Sequence, residues 1–443
     1  MIASRRKLLS AGFVLAGAAA IAVVGGQALQ SAHDPRPATT LAASQPVSLP
    51  NNDPLQQAIA RLQGKIRDNP ADSVSLAVLG LEYVQQAKIS VDPSFYPKAE
   101  GVLARSLGLN STSNFQAMAG QASYRAALHD FTGARSWALR GLKIDPYNVT
   151  LYGSLVDAET QLGHFSAARE AAQKMLNLNP GVPALTRGEY VLELEGQVAQ
   201  ARTLLDQAQA AATTPSDIAF VHQTASDLAF SQGNPSLALR EADAGITADP
   251  SYSALLESRA KAEVALDRKD EALRDYADLV ARAPQPQYLV EYGEYLDSLG
   301  QSAKAREQYD LFDVEGKLFT ANGVTLDTDP TLFYADHGDP TRALQYGKAG
   351  LAIRPFIEMQ DAYAWALHAN ARNAEALTWS TKAASLGTRN ALFAYHRGII
   401  QKSLGMRQAA AASLQRALSI NPYFSPRDVP LARKALADVK SGR

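Results

Sequence analysis

The residues of this chain with the greatest potential for chemistry are histidines and aspartates in its C-terminal half. Asp336, His337 and Asp339 lie within four positions of one another, and His368 and His396 follow at intervals of 31 and 28 residues. Imidazole and carboxylate groups serve as zinc ligands and as general acids or bases, so histidines on successive helices define a candidate metal or catalytic cluster. Their spacing, however, differs from that of HExxH and related ligand sets.

A structural role accounts for the same residues. His337 and Gly338 have the composition of a helix end, Asp339 is a suitable N-cap, and Pro340 suits the first turn of the next helix. The sequence contains no GxSxG elbow, phosphate-binding loop or glycine-rich dinucleotide turn, and it contains no cysteine. We therefore expect no catalytic residue, no cofactor and no metal, and we predict that the protein is not an enzyme.

The helices that position these residues belong to a repeating pattern. The segment 145–180, DPYNVTLYGSLVDAETQLGHFSAAREAAQKMLNLNP, has apolar residues at helical spacing on both sides of Gly163. Pro146 and Pro180 lie 34 residues apart. This pattern predicts a helix, a tight turn, a second antiparallel helix and a stop.

The same turn recurs along most of the chain. Turn residues are predicted at Gly163, Gly196, Gly233, Asp267, Gly300, Gly338, Ala371 and Gly405. An alanine follows each of them by five positions, at Ala168, Ala201, Ala238, Ala272, Ala305, Ala343, Ala376 and Ala410. A small residue at this place lets the second helix of a pair cross the first closely.

With these turns, alanines and closing prolines, the chain resembles the tetratricopeptide repeat (TPR) family, of the exported or membrane-anchored bacterial type. The resemblance covers residues 54–422 and implies an all-α fold, a right-handed α-solenoid of about ten helix–turn–helix repeats. Residues 313–340 depart from the pattern and are predicted to be irregular. Residues 423–443 predict a C-terminal capping helix and tail.

The N-terminal residues predict a membrane contact. In residues 1–26 a basic cluster precedes the uncharged residues 8–26, which predict a hydrophobic helix. We favour an uncleaved, single-pass anchor in the cytoplasmic membrane over the alternative, a cleaved signal that leaves the protein periplasmic or secreted. The basic cluster places the repeats outside the cytoplasm. Residues 27–53, rich in proline, alanine and serine, predict a disordered linker.

The expected partners follow from charge and from the resemblance. The formal net charge is −1 and no Lys/Arg run exists outside the N-terminus, so we expect no nucleic-acid partner. The TPR resemblance implies a non-catalytic scaffold that binds a protein or peptide on its concave face, in envelope assembly or secretion. An alternative is a small-molecule or glycan-binding accessory or enzymatic unit that uses residues 313–340.

Acidic and aromatic residues on first helices of the C-terminal half are the predicted partner site. They are Tyr288, Glu291, Glu294, Tyr295, Asp297, Glu358, Asp361 and Trp365. Such a face suits a basic or amphipathic peptide. The competing interpretation is that these acidic residues are solvated and that the aromatic residues pack between helices.

Overall fold

The computed structural model describes residues 54–90 and 92–442, and the regular elements among them are all α-helices. These helices are α1 Pro54–Asp68, α2 Ser73–Ser90, α3 Phe95–Leu109, α4 Phe115–Ala127, α5 Phe131–Ile144, α6 Val149–Gln161, α7 Phe165–Leu178, α8 Val182–Leu194, α9 Val198–Ala211, α10 Pro215–Ser231, α11 Pro235–Ala248, α12 Ala254–Ala265, α13 Lys269–Arg282, α14 Pro286–Ser298, α15 Ser302–Ala321, α16 Thr328–Asp336, α17 Pro340–Ile353, α18 Ile357–Ala369, α19 Asn373–Ala383, α20 Ala391–Ser403, α21 Arg407–Ile420 and α22 Asp428–Ser441.

The described helices form a TPR-like repeat. Helix α1 precedes ten helix pairs, which run from α2 and α3 to α20 and α21, and α22 packs on the last pair. Within each pair the second helix folds back on the first after a short turn. The predicted all-helical repeat of paired helices is therefore confirmed.

Every turn residue that the sequence predicts has a left-handed backbone. The φ angles are 75° at Gly163, 72° at Gly196, 76° at Gly233, 59° at Asp267, 74° at Gly300, 88° at Gly338, 57° at Ala371 and 72° at Gly405. At the first of these turns, the His164 N–H donates to the Glu159 carbonyl oxygen at 2.8 Å, which satisfies a free carbonyl at the helix end. The eight alanines that follow these turns are no more than 1% exposed, which confirms the predicted close crossings.

First helices form the inner layer of the solenoid and second helices form the outer layer. Helices α2, α4, α6 and α8 each pack on the next first helix as well as on their own partner. Helix α6 buries residues around most of its circumference, whereas α7 buries only Ala168, Ala171, Ala172 and Met175. A segment bound inside the solenoid would therefore contact side chains of the first helices.

The solenoid closes on itself after about six pairs, which is the separation of α6 from α18. Turns within residues 128–234 contact loops within residues 325–422, and we call these contacts the coil seam. One of them joins Arg354 to Gln161, 193 residues earlier, through a hydrogen bond of 2.6 Å from Nε to Oε1. We call the part of the solenoid with residues 128–234 the first coil and the part with residues 325–422 the second coil. The loops of the second coil therefore rest on the turns of the first.

A buried ion pair lies at one end of the coil seam. Arg354 is 6% exposed, and its Nη1 lies 2.8 Å from Oδ1 of Asp327. His129 of the first coil reaches the same carboxylate, with 3.2 Å between Nδ1 and Oδ2. Burial acts to raise the pKa of Asp327, but Arg354 and His129 hold that pKa well below its ordinary value. Asp327 thus stays ionised, and the contacts of Asp327 with His129 and of Arg354 with Gln161 link the two coils.

Backbone contact is close in the middle of the coil seam. Thr388 donates a hydrogen bond from Oγ1 to the Leu194 carbonyl oxygen, 194 residues earlier. A Cβ added to Gly196 would lie 2.4 Å from the Gly387 carbonyl oxygen, so only glycine fits this approach.

The segment predicted to be irregular, residues 313–340, supplies part of the seam. It contains the end of α15, which continues as a helix to Ala321, followed by a loop and the nine-residue α16. Asp327 lies at the end of that loop and caps α16 by accepting from the Thr328 N–H. The departure from the regular repeat therefore coincides with the point where the second coil meets the first.

The predicted N-terminal helix, residues 1–26, and linker, residues 27–53, lie outside the described residues. Among the helices that are described, none combines the length and the apolar character needed to cross a bilayer. The membrane contact predicted for residues 8–26 likewise lies outside the described residues.

Candidate functional site

Carboxylates recur in register on the inner layer. Glu189, Gln223, Glu257 and Glu291 are 34 residues apart and lie on α8, α10, α12 and α14. Glu193, Asp227 and Lys261 form a second row with the same interval, one helical turn further along. We call Glu189, Glu193, Asp227, Glu257 and Glu291 the acidic cluster.

Lys261 is the cation that directly contacts the acidic cluster. Its Nζ lies 3.1 Å from Oε1 of Glu257 and 3.5 Å from Oε1 of Glu291. Burial acts to lower the pKa of Lys261, but the surrounding carboxylates raise it well above its ordinary value. One ammonium group therefore interacts with three of the five carboxyl groups, and the cluster has an excess of acidic groups.

Neutral donors satisfy only part of this excess. Asp227 accepts from Nε2 of Gln223 at 2.6 Å and from Oγ of Ser258 at 2.8 Å. Glu189 is 1% exposed, and its Oε1 has no hydrogen-bond partner among the described residues. The same holds for Oε2 of Glu291. Buried acceptors without donors are costly, so these atoms are open positions for a ligand.

The carboxylates influence one another. Burial, followed by repulsion from Asp227, raises the pKa of Glu193 to about 7. Burial and repulsion from Glu257 raise the pKa of Asp227 to about 7, with Lys261 opposing. Burial raises the pKa of Glu291 to about 8, although Lys261 acts in the opposite direction. The cluster is therefore only partly ionised at neutral pH, and a bound cation would favour its charged form.

The second coil adds carboxylates to the same inner face. Burial raises the pKa of Glu358 on α18 to about 7, and the charge of Glu193, on α8 of the first coil, contributes to that rise. Burial likewise raises the pKa of Asp329 on α16 to about 7, with a contribution from Glu257. Oε2 of Glu358 has no hydrogen-bond partner within the described part of the chain. Acidic groups from both coils thus influence one another electrostatically.

Tyrosines form an aromatic border to the acidic cluster. Tyr288 is 2% exposed, and burial together with Glu257 and Glu291 raises its pKa well above its ordinary value. The rings of Tyr276 and Tyr292 stack with 5.6 Å between their centroids. Tyr276 and Tyr288 are buried near the carboxylates, and the half-buried Tyr292 gives the inner face apolar surface for an amphipathic segment.

The structure separates the eight residues of the predicted partner site. Glu291, Tyr288 and Glu358 belong to the acidic inner face. Glu294 instead lies 3.4 Å from Nε2 of His337, and Asp297 accepts from the Tyr309 hydroxyl at 2.9 Å.

The remaining three predicted residues are packed in the interior. Tyr295 is 5% exposed and lies against Tyr276. Asp361 pairs with His396 at 2.7 Å, and Trp365 donates from Nε1 to Asp336 at 2.7 Å. These side chains hold the inner layer together.

Sequence reasoning passed over Glu189, Glu193 and Asp227 as site residues. A signal was present, because acidic residues at 189, 257 and 291 and at 193 and 227 repeat the 34-residue period. The 34-residue period does not predict that Glu358 of the second coil lies near these residues.

The histidines considered for chemistry are engaged in packing. Trp365 lies between His368 and His396, with ring centroids 4.8 Å and 4.1 Å away. His337 stacks on Phe333 at 4.6 Å. Asp339 accepts from the Arg342 N–H at 3.0 Å, which confirms the predicted helix cap.

The described residues contain no group of three or more His, Cys, Asp or Glu side chains arranged to hold a metal ion. The acidic cluster therefore presents its carboxylates without the convergence that a metal site needs.

The comparisons with known proteins concern fold class. No protein-family model and no curated protein matches the chain. Among solved structures, the human IFIT1 dimer with PPP-AAAA is 13% identical, with a TM-score of 0.45 over 83% of this chain and 94% of that one. TTC0263, a thermophilic TPR protein of Thermus thermophilus, is 21% identical, with a TM-score of 0.35 over 39% and 91%. The APC/C Cut9–Hcn1 structure is 12% identical, with a TM-score of 0.38 over 87% and 94%.

One of these findings corrects an expectation. IFIT1 is also found with m7Gppp-AAAA, and both of its ligands are RNA. The prediction that this chain has no nucleic-acid partner is therefore wrong as an exclusion. It relied on the net charge and on the lack of Lys/Arg runs, and these averages over the sequence do not by themselves exclude a nucleic-acid partner.

Proposed function

We propose that this protein is a non-catalytic scaffold that holds an extended, basic segment of a partner protein on the inner face of its solenoid. One observation supports the proposal: the acidic cluster has five carboxyl groups, of which the ammonium of Lys261 interacts with three, and some of its buried acceptor atoms have no donor among the described residues. A basic segment supplies both the missing charge and the missing donors. The half-buried Tyr292 supplies a contact for the segment's apolar side chains.

An extended segment suits the shape of this surface. The carboxylates lie on successive first helices, so they follow the direction of the solenoid. A chain that follows the same direction presents a side chain to each helix in turn. The predicted residues Tyr288, Glu291 and Glu358 contribute to this surface, together with Glu189 and Asp227.

Selection from a random twelve-residue peptide library tests the proposal. We expect the full chain to enrich peptides that contain Lys or Arg beside aromatic residues, and a Glu257→Gln, Glu291→Gln double variant to enrich them less. The control is Glu307→Gln, an exposed residue on the outer helix α15. A parallel library of single-stranded RNA is the competing arm. Enrichment of RNA alone, or no enrichment of peptides, would contradict the scaffold function.

We further propose that the repeats lie outside the cytoplasm, in a role in envelope assembly or secretion. The support is the sequence of residues 1–26, in which basic residues precede an uncharged run. Because the chain has no cysteine, a Ser302→Cys variant at an exposed site carries one thiol. Labelling of this thiol in intact cells by an impermeant maleimide is expected, and labelling only after lysis would refute the location.

A further inference from the structure

Glu189 has a carboxyl group that the described residues leave incompletely bonded. The side chain is 1% exposed and Oε1 has no hydrogen-bond partner among those residues. Glu193, one helical turn away on α8, and Asp227 on α10 both disfavour its charged form. A buried carboxylate in such surroundings is stabilised by a cation that also donates hydrogen bonds.

The nearby cations form their ion pairs with carboxylates other than Glu189, Glu193, Asp227 and Glu358. Lys261 contacts Glu257 and Glu291. Arg187 of α8 forms a two-pronged pair with Asp157, with 2.9 Å from Nε to Oδ1 and 2.7 Å from Nη2 to Oδ2. The charges of Lys261 and Arg354 favour the ionised forms of Asp227 and Glu358 only in part, because burial still raises the pKa of both carboxyl groups to about 7.

A second open acceptor faces the same group from the other coil. Oε2 of Glu358 on α18 has no hydrogen-bond partner in the described part of the chain, and the Glu358 carboxyl interacts electrostatically with Glu193. Acceptors without a donor among the described residues therefore lie on α8 and α18, and Asp227 of α10 adds a carboxylate that already accepts from Gln223 and Ser258. A ligand group that serves these helices needs several donors that point in different directions.

We propose that Glu189, Glu193, Asp227 and Glu358 form a pocket for one arginine side chain of the bound segment, an inference that rests on the scaffold function proposed above. Guanidinium carries five N–H donors in a planar fork and pairs with carboxylates through two parallel hydrogen bonds. It is also more weakly hydrated than ammonium, so it loses less on entering a buried site. A lysine would offer three donors from a single point and would bind less tightly.

The test uses a peptide selected by the full chain and three versions of its central basic residue. The versions carry arginine, lysine, or citrulline, which keeps the shape of arginine but has no charge. Each is fluorescently labelled, and its Kd is measured by polarisation with the wild-type chain, with Glu189→Gln and with the outer-surface control Glu307→Gln. The Glu189→Gln side chain keeps its volume, so folding is preserved and is checked by circular dichroism.

We expect citrulline to weaken binding to the wild-type chain about tenfold and lysine to weaken it severalfold. Glu189→Gln removes one of the four carboxylates, so it should weaken the arginine peptide severalfold and leave the citrulline peptide nearly unchanged, because citrulline has no charge to pair with it. Glu307→Gln should leave all three affinities unchanged.

Different failures have different meanings. If no peptide is selected, both the scaffold function and the arginine pocket are refuted. If peptides bind but tolerate citrulline, or if Glu189→Gln weakens the arginine and citrulline peptides equally, the scaffold stands and the pocket is refuted. Saturable binding of Mg²⁺ or spermidine that depends on Glu189, with peptides indifferent to arginine, would assign the carboxylates to another cation and also refute the pocket.

Discussion

Replacing Gly196 by alanine is expected to open the coil seam, whereas the same replacement at Gly405 is not. Both glycines have a φ of +72°, so the added methyl group meets the same backbone strain at each, roughly 1–2 kcal/mol. Their surroundings differ. A Cβ at position 196 would lie 2.4 Å from the Gly387 carbonyl oxygen, whereas at position 405 no described heavy atom lies within 4 Å of it.

The size of the difference follows from the contact at Gly387. Ordinary contact with a Cβ begins near 3.4 Å, so the carbonyl must retreat by about 1 Å. That retreat breaks the adjacent hydrogen bond from Thr388 to Leu194, which contributes about 1 kcal/mol, and it loosens the packing around it. We therefore expect Gly196→Ala to lower the free energy of unfolding by about 2–4 kcal/mol, against about 1–2 kcal/mol for Gly405→Ala.

Two measurements test this reasoning. Urea unfolding followed by circular dichroism gives the loss of stability for each variant, and small-angle X-ray scattering gives the radius of gyration of the folded chain. Gly196→Ala should show the larger loss and an increased radius, while Gly405→Ala keeps the wild-type radius. Equal losses with equal radii would mean that contact between the coils does not hold the solenoid closed.

Two further outcomes are expected. Arg354→Gln should lower the free energy of unfolding by about 3–5 kcal/mol, because the buried Asp327 loses its main counter-charge and keeps only the weaker contact with His129. Arg372→Gln, at the exposed pair with Glu375, should leave the urea midpoint nearly unchanged. Similar midpoints for both variants would exclude a stabilising role for the pair of Arg354 and Asp327. The free energy of unfolding should fall as pH rises from about 4.5 to about 7. Burial raises the pKa of Glu193 from 4.5 to about 7, so the folded chain binds more protons than the unfolded chain in this range. Urea midpoints across this range should decline less steeply for Glu193→Gln than for the wild-type chain, and an unchanged slope would count against the raised pKa.

The candidate site was only partly predictable. Glu291, Glu358 and Tyr288 were identified because acidic and aromatic residues on first helices mark the inner layer. Asp361 and Trp365 satisfy the same rule, yet they pair with His396 and Asp336 in the interior. The position of a residue in the repeat predicts whether it lies in the inner or the outer layer. It does not predict whether a side chain of a neighbouring helix pairs with that residue.

Local interactions explain what could be inferred without the structure. The left-handed turns at Gly163 and Gly196 and the buried Ala168 and Ala201 follow from a period of about 34 residues, since each pair packs mainly on its neighbours. A repeated pattern therefore repeats a local structure. This reasoning holds for the pairs, for their order and for the inner position of the first helices.

Contacts across the coil seam were decided by the fold alone. Whether Arg354 meets Gln161 depends on the small rotation of each pair relative to the last, accumulated over about six pairs. The repeat pattern in the sequence does not predict this accumulated rotation. The same rotation brings the carboxylate of Glu358 near that of Glu193 on α8, because residues far apart in the chain become neighbours only when the solenoid has completed a turn.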